Sequence, residues 1–250
     1  METLEKELVA MKVAILITTY NRLNLLKRTL ESLHESLKNE KNDVTIFIVD
    51  DGSTDGTVEF LRSFTLPHPR MFGYETIYHK NNMGLRTSLN DGLRLILKEN
   101  FDYISYNQDD VEFKEGWLQE CIDWWERSKM PNGSTQIGFI TGHDAPEHPT
   151  MYEGKDFKIK PTCRATHLFA SAKRWKEFGE IPDLTPGIAS PKPGQGSMCD
   201  WWLVGHPDGK YPESRNSLRK RGEKVLVLPG RIKHIGVEES TWGNIMNPEY

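Results

Sequence analysis

The stretch VTIFIVDDGSTDGT (Val44–Thr57) runs an apolar segment straight into two adjacent carboxylates, then into a loop of Gly, Ser, Thr and Asp. An uninterrupted apolar run bounded by turn formers reads as a strand buried on both faces, the kind that parallel sheets use. Working outward, the layout recurs. VAILIT (Val13–Thr18), YETIYH (Tyr74–His79) and YISY (Tyr103–Tyr106) are similar runs, and the last again ends in paired acids at Asp109 and Asp110. Between them lie helical patterns. Leu23, Leu25, Leu26, Leu30, Leu33 and Leu37 follow Asn21, which is placed to cap them, and further helices are expected over Thr57–Phe64, Gly84–Lys98 and Trp117–Ser128. Strand and helix in strict alternation imply right-handed crossovers and an α/β, mainly parallel, doubly wound sheet.

The regularity fades after the turn-rich MPNGSTQ (Met130–Gln136). Strands are expected at Ile137–Gly142 and Thr166–Ser171, a short helix at Lys173–Phe178, and a helix and two strands within Ser217–Gly236. Ala145–Pro161 reads as irregular, and Thr185–Asp200 as a long loop of the type that forms lids or binding loops. Residues 1–130 thus form a regular half, and 131–250 a more irregular half of the same single domain. A chain of 250 residues can bury the core this requires. With 32 basic against 36 acidic residues it is no general polyanion coater. Basic runs at Lys173–Lys176 and Ser214–Lys224 are expected to be solvated helix faces. Cys121, Cys163 and Cys199 are scattered without CxxC spacing, which argues against a disulfide framework or structural zinc and for a reducing compartment. Neither a signal peptide nor a membrane span is expected, so the location read from sequence is cytoplasmic.

In an open parallel sheet, ligands bind beyond the carboxyl ends of the strands, where strand order reverses. That rule gathers TTYNR (Thr18–Arg22), DDGSTDG (Asp50–Gly56) and NQDDV (Asn107–Val111) on one rim. Adjacent acids are costly unless a cation satisfies them. Oxygen ligands without thiolates select Mg²⁺ or Mn²⁺, which complete their shells with substrate phosphates. Tyr20 can stack on a base and Asp51 can accept from a base or ribose, so a nucleoside diphosphate suits the rim. No G-x-G-x-x-G follows the first strand and no G-x4-G-K-[ST] is present, which sets aside a Rossmann oxidoreductase and a P-loop kinase.

ILITTYNR, IFIVDDGSTDGT, NNMGLRTSLNDGL with its N-x-G-x5-N-x-G spacing (Asn82, Gly84, Asn90, Gly92), and YISYNQDD together resemble the family 2 glycosyltransferases of GT-A fold. GSMCDWWL (Gly196–Leu203) and GEKVLVLPGRIKHIG (Gly222–Gly236) extend the resemblance to most of the chain. It implies a metal-dependent enzyme that moves a sugar from a nucleoside-diphosphate donor, UDP-linked by default, to a hydroxyl acceptor. Thr18 and Tyr20 would flank the nucleobase with Arg22 nearby, and Asp51 would hold base or ribose while Asp50 supports the loop. Arg86 would neutralise the diphosphate. In the DxD-type motif, Asp109 would meet ribose or a metal-bound water, and Asp110 would ligate the metal with His234. Asp200 would be the general base of an inverting transfer, although Cys199 stands where the family usually has an acid. Trp201, Trp202 and His143 are candidates for the acceptor side. The acceptor stays open among glycan, small molecule and nucleic acid carrying a hydroxylated base. The rival class is a non-catalytic nucleotide-sugar-binding module.

Overall fold

A computed structural model describes residues 10–65, 71–131, 135–146, 148–182, 202–205 and 213–236. At its centre is β1 (Lys12–Thr19), in which every side chain from Val13 to Ile17 is buried. A run apolar on both faces makes a stable strand only between two covering layers. α1 (Leu23–Ser36) supplies one of them and turns Leu25, Leu26, Leu30 and Leu33 inward. β2 (Asp43–Asp50) pairs with one side of β1 and with β3 (Met71–Tyr78), with α2 (Thr57–Ser63) in the connection. α3 (Leu85–Ile96) then leads to β4 (Tyr103–Gln108), which pairs with the other side of β1. α3 lies close on the sheet because residue 92 is glycine; a Cβ there would fall within 2.9 Å of the Leu16 side chain.

The order β3-β2-β1-β4 is parallel throughout, as expected. Strand order reverses between β1 and β4, and the rule for open α/β sheets puts the ligand crevice beyond their carboxyl ends. β5 (Val111–Phe113) follows β4 at once, then α4 (Trp117–Arg127) and β6 (Ile137–Thr141). Beyond β4 the strand directions mix. β9 (His167–Ser171) runs antiparallel to both β4 and β6, β10 (Lys224–Val227) runs parallel to β6, and β8 (Lys158–Lys160) and β7 (Tyr152–Glu153) close the edge antiparallel. A small second sheet pairs β11 (Ile232–His234) with β5. α5 (Ala172–Phe178) and α6 (Leu218–Arg221) complete the elements. Among the described residues, no helix is long and apolar enough to cross a membrane.

Three local expectations are corrected. Ala145–Pro161 is not wholly irregular, since it holds the β7–β8 hairpin, whose two- and three-residue strands are too short to leave a periodic signal. Asn21 does not cap α1. It adopts φ 51°, and its side-chain oxygen accepts from Thr54 N at 2.7 Å, while Asp55 Oδ2 accepts from Leu23 N at 2.9 Å. Asp55 Oδ1 also takes Thr57 N at 3.2 Å, so one carboxylate finishes the starts of both α1 and α2. Finally, the basic run in α5 is not a purely solvated face. Arg174 is buried against Glu223, 49 positions away, whereas Arg219, Lys220 and Arg221 in α6 are exposed as expected, with Glu213 beside Arg219 and Glu177 beside Arg221.

Candidate active site

The acid pair after β4 stands at the mouth of the crevice. Asp109 and Asp110 are 3 % and 2 % exposed, too buried to be satisfied by water. α1 fixes their backbone: Thr29 Oγ1 donates to Asp109 O at 2.8 Å and accepts from Val111 N at 3.1 Å. Asp109 accepts from Thr19 Oγ1 at 2.7 Å and from Arg22 Nη1 at 3.2 Å. The same Arg22 nitrogen reaches Asp110 Oδ2 at 2.8 Å, and His234 Nε2 lies 3.1 Å from that oxygen. Asp110 Oδ1 is buried and has no hydrogen-bond partner.

These neighbours split the pair electrostatically. Burial, with the adjacent Asp110 charge, pushes the Asp109 carboxyl up to about 6 against the pull of Arg22. Burial would raise Asp110 as well, but the His234 hydrogen bond and charge and the Arg22 guanidinium outweigh it and hold Asp110 below the usual carboxylate range. Burial alone would lower Arg22, and the two carboxylates more than offset it.

His234 arrives by strand pairing. β11 places it opposite Val111, and Ile235 N donates to Asp110 O at 2.8 Å. The chain then passes over the carboxylate at Gly236, where a Cβ would come within 2.8 Å of Asp110 Cγ and closer still to Oδ2. The donor set of Asp110 oxygen and His234 nitrogen, without thiolate, suits a hard divalent ion. Adjacent corners of an octahedron with bonds of about 2.1 Å lie about 3 Å apart, and these two atoms are 3.1 Å apart. Together with the orphaned Asp110 Oδ1, they fit such an ion. Among the described residues, no group of three or more His, Cys, Asp or Glu is arranged to hold a metal. The remaining positions would therefore fall to phosphate oxygens and water.

The acid pair after β2 is built differently. Asp50 is fully buried and takes Ser53 N at 3.1 Å. Asp51 Oδ1 accepts from Met83 N at 2.8 Å and faces His79 Nδ1 at 2.9 Å, while Oδ2 accepts from Gly84 N at 2.8 Å. His79 Nε2 is 3.1 Å from Asp91 Oδ2. Asp51 thus docks the Asn82–Gly84 turn onto the end of β2.

The remaining candidates scatter around the crevice. Thr18 is buried, its hydroxyl 3.2 Å from that of Tyr106, and Tyr20 is 41 % exposed at the rim. Arg22 sits on the two acids of the metal-type motif. Arg86 is half-buried in the first turn of α3. The His143 ring stands 5.6 Å from that of His234. Trp202 is half-buried, with its carbonyl taken by Ser214 N at 2.9 Å and its indole Nε1 without a partner. Asp200 and Trp201 lie outside the described residues.

Sequence reasoning passed over Thr19, Thr29 and the contribution of His79. His79 closes an apolar run in YETIYH and has no motif of its own. The role of Asn90 inside its motif also went unread: its amide takes Ile181 N at 2.9 Å and donates to Ile181 O at 2.8 Å. That reciprocal pair ties α3 to the irregular half.

Comparison with known proteins now decides the family. The family model described as glycosyl transferase family 2 matches residues 14–183. The chain belongs to this family. Its fold is GT-A. The mannosyltransferase PcManGT from Pyrobaculum calidifontis, solved in complex with GDP-Man and Mn²⁺, superposes with a TM-score of 0.53 at 16 % identity, over 70 % of this chain and 48 % of that one. TarS of S. aureus gives a TM-score of 0.53 at 13 % identity, over 88 % of this chain and 35 % of TarS. In sequence, the chain is similar to the minor teichoic acid biosynthesis protein GgaA of Bacillus subtilis (strain 168), 26 % identical over 135 residues. That match covers 54 % of this chain and 29 % of GgaA, so the chain spans well under half of that family relative. The matched family segment contains β1 to β4 and both acid pairs, and stops before β11 and His234.

Proposed function

We propose that this family 2 chain transfers a sugar from a nucleoside-diphosphate donor to a hydroxyl acceptor, and that it uses Mn²⁺ or Mg²⁺ to do so. The observation that carries the reading is Asp110. It is a buried carboxylate at the strand-reversal crevice, with one orphaned oxygen and His234 beside the other. The Mn²⁺ and GDP-Man in PcManGT support the same chemistry on the same fold.

When bound at Asp110 and His234, the ion would supply positive charge to the diphosphate as the glycosyl bond breaks. The chain's own residues do the rest. Tyr20, exposed at the rim, offers a face for the nucleobase, and Thr18 and Asp51 line the base-proximal strand ends. Asp109, held by Thr19 and Arg22, faces the ribose side, and Arg86 supports the diphosphate. Asp200 takes the proton of the acceptor hydroxyl as that oxygen attacks the anomeric carbon, giving inversion. The segment after it is anchored through Trp202 and the buried Leu203 and Val204. Trp201, Trp202 and His143 form the acceptor side.

UDP is the favoured nucleotide by family resemblance, and GDP is the alternative that PcManGT raises. GgaA's name favours a glycan-type acceptor over nucleic acid. So does Arg174, which is buried in its pair with Glu223 and not free for phosphates. We assign a cytoplasmic location, supported by Cys121, a buried free thiol.

The test is a donor screen. UDP- and GDP-sugars are incubated with and without Mn²⁺, and donor binding and sugar release or transfer are followed in the wild type and in Asp200→Asn. Binding and Mn²⁺-dependent turnover that Asp200→Asn cuts roughly 10²–10⁴-fold would support the mechanism. Donor binding with no turnover in the wild type would leave the non-catalytic module, and no donor binding at all would end both.

A further inference from the structure

We propose that Arg22 is an exchangeable counter-ion. It neutralises Asp109 and Asp110 while the crevice is empty, and it yields them to a divalent cation as its guanidinium moves to the donor diphosphate. The inference rests on the metal-dependent transfer proposed above and adds the order in which charges enter the site.

The contact itself is of a kind that exchanges. A single nitrogen, Arg22 Nη1, bridges both acids, at 3.2 Å to Asp109 Oδ1 and 2.8 Å to Asp110 Oδ2. Two parallel bonds between guanidinium and carboxylate would be the tighter and more specific arrangement, and it is not used here. Among the described residues, its ion pairs are with these two acids. The Arg22 side chain is 22 % exposed while those of the carboxylates are 5 % and 3 %, so it covers them from the solvent side.

The pivot, in contrast, is fixed. Asn21 N donates to Ser53 Oγ at 2.9 Å, Leu23 N to Asp55 Oδ2 at 2.9 Å, and Leu26 N to Arg22 O at 2.9 Å. A long side chain on a held backbone can swing without disturbing the fold.

Charge sets the order. Two carboxylates and one guanidinium sum to about −1, and adding a bare divalent ion makes the buried site net positive, with two cations competing for Asp110 Oδ2. Coulomb repulsion at such distances in a poorly hydrated site opposes entry of the bare ion. A diphosphate removes the conflict, because it brings negative charge and offers Arg22 oxygens whose geometry suits its planar fork. Metal and nucleotide should therefore bind with strong positive coupling, and the coupling should be reciprocal. No covalent bond changes; one ion pair is exchanged for two others.

The experiment is isothermal titration of Mn²⁺ alone, of UDP and of GDP alone, and of each with the other present. It uses the wild type, Arg22→Met, Arg22→Lys and Asp110→Asn. Arg22→Met should bind bare Mn²⁺ about 10-fold or more tightly than the wild type, and the Mn²⁺-dependent gain in nucleotide affinity should shrink about 10-fold. Arg22→Lys, which keeps the charge, should stay near the wild type for bare Mn²⁺, and it serves if Arg22→Met does not fold. Suppose Mn²⁺ binding is present in the wild type and lost in Asp110→Asn, yet unchanged or weaker in Arg22→Met and no different in Arg22→Lys. The metal reading then stands and the exchange is overturned. If no variant and no nucleotide brings Mn²⁺ to the protein, the metal reading has failed and the exchange falls with it.

Discussion

Asp50–Asp51 and Asp109–Asp110 are written alike, two acids at the end of a buried strand, and the fold treats them in opposite ways. The first pair is held mainly by the backbone. Ser53, Met83 and Gly84 amides, with the His79 ring, take three of its four oxygens, and the result is a docked turn. The second is held by side chains, from Thr19, Arg22 and His234; each pair keeps one buried oxygen without a partner, Asp50 Oδ1 in the first and Asp110 Oδ1 in the second, and only the second has an imidazole nitrogen beside the acid that carries it. Backbone donors cannot leave without unfolding something, whereas side-chain donors can. The first pair is therefore tied into the fold, and the second is the candidate socket.

Substitutions can break that contrast. The largest effect is expected at the socket. Asp110→Asn should lower kcat/KM for sugar transfer about 10³-fold, equivalent to about 4 kcal/mol, while thermal melts move by only a few degrees. A large fall in melting temperature would show that this pair is structural after all. Asp51→Ala should do the reverse and cost about 3 kcal/mol of stability in urea, because it strands the Met83 and Gly84 amides. If that variant melts like the wild type, the architectural assignment is wrong.

Acid should sharpen the difference from behind the second pair. His167, paired in register with Asn107, accepts from Gly142 N through Nδ1, and burial, helped by His143, pushes its pKa down to about 3. In the unfolded chain it titrates near 6.5, so between about 6.5 and 3 only the unfolded state takes up the proton. Stability should then fall with pH through that window, by about 2 kcal/mol between pH 7 and pH 5 in urea melts. His167→Asn, which can keep an acceptor toward Gly142, should flatten the profile. The smallest effect belongs to the loop beside the first pair. Asp55→Ala should remove the shared start of α1 and α2 and cost about 1–2 kcal/mol by the same melts, with transfer per folded molecule unchanged.

The parallel β3-β2-β1-β4 core was legible because its strands are apolar on both faces and end in turn formers, so local pattern and tertiary role agree. The location of the candidate site follows from topology alone, since the reversal between β1 and β4 needs only the strand order. What was not legible is how the two acid pairs differ. Their fates depend on Arg22, His79 and His234, and nothing within either motif announces which of these will arrive. Asn21 misled for a related reason. It carries the residue type of a cap, but Asp55 from the neighbouring loop was better placed, and Asn21 was free to brace Thr54. β5, β7 and β8 are too short for periodicity to register, and pairing creates them: β5 with the distant β11, β8 with the distant β10, and β7 with its hairpin neighbour β8.

The small sheet of β5 and β11 carries a consequence for biosynthesis. His234 reaches Asp110 across 124 positions of chain. A ribosome therefore delivers the acids long before it delivers the imidazole that completes their surroundings. Until β11 emerges and zips onto β5, the growing polypeptide has the carboxylates but no imidazole beside them, so the surroundings of Asp110 are completed only after every other described strand has been made.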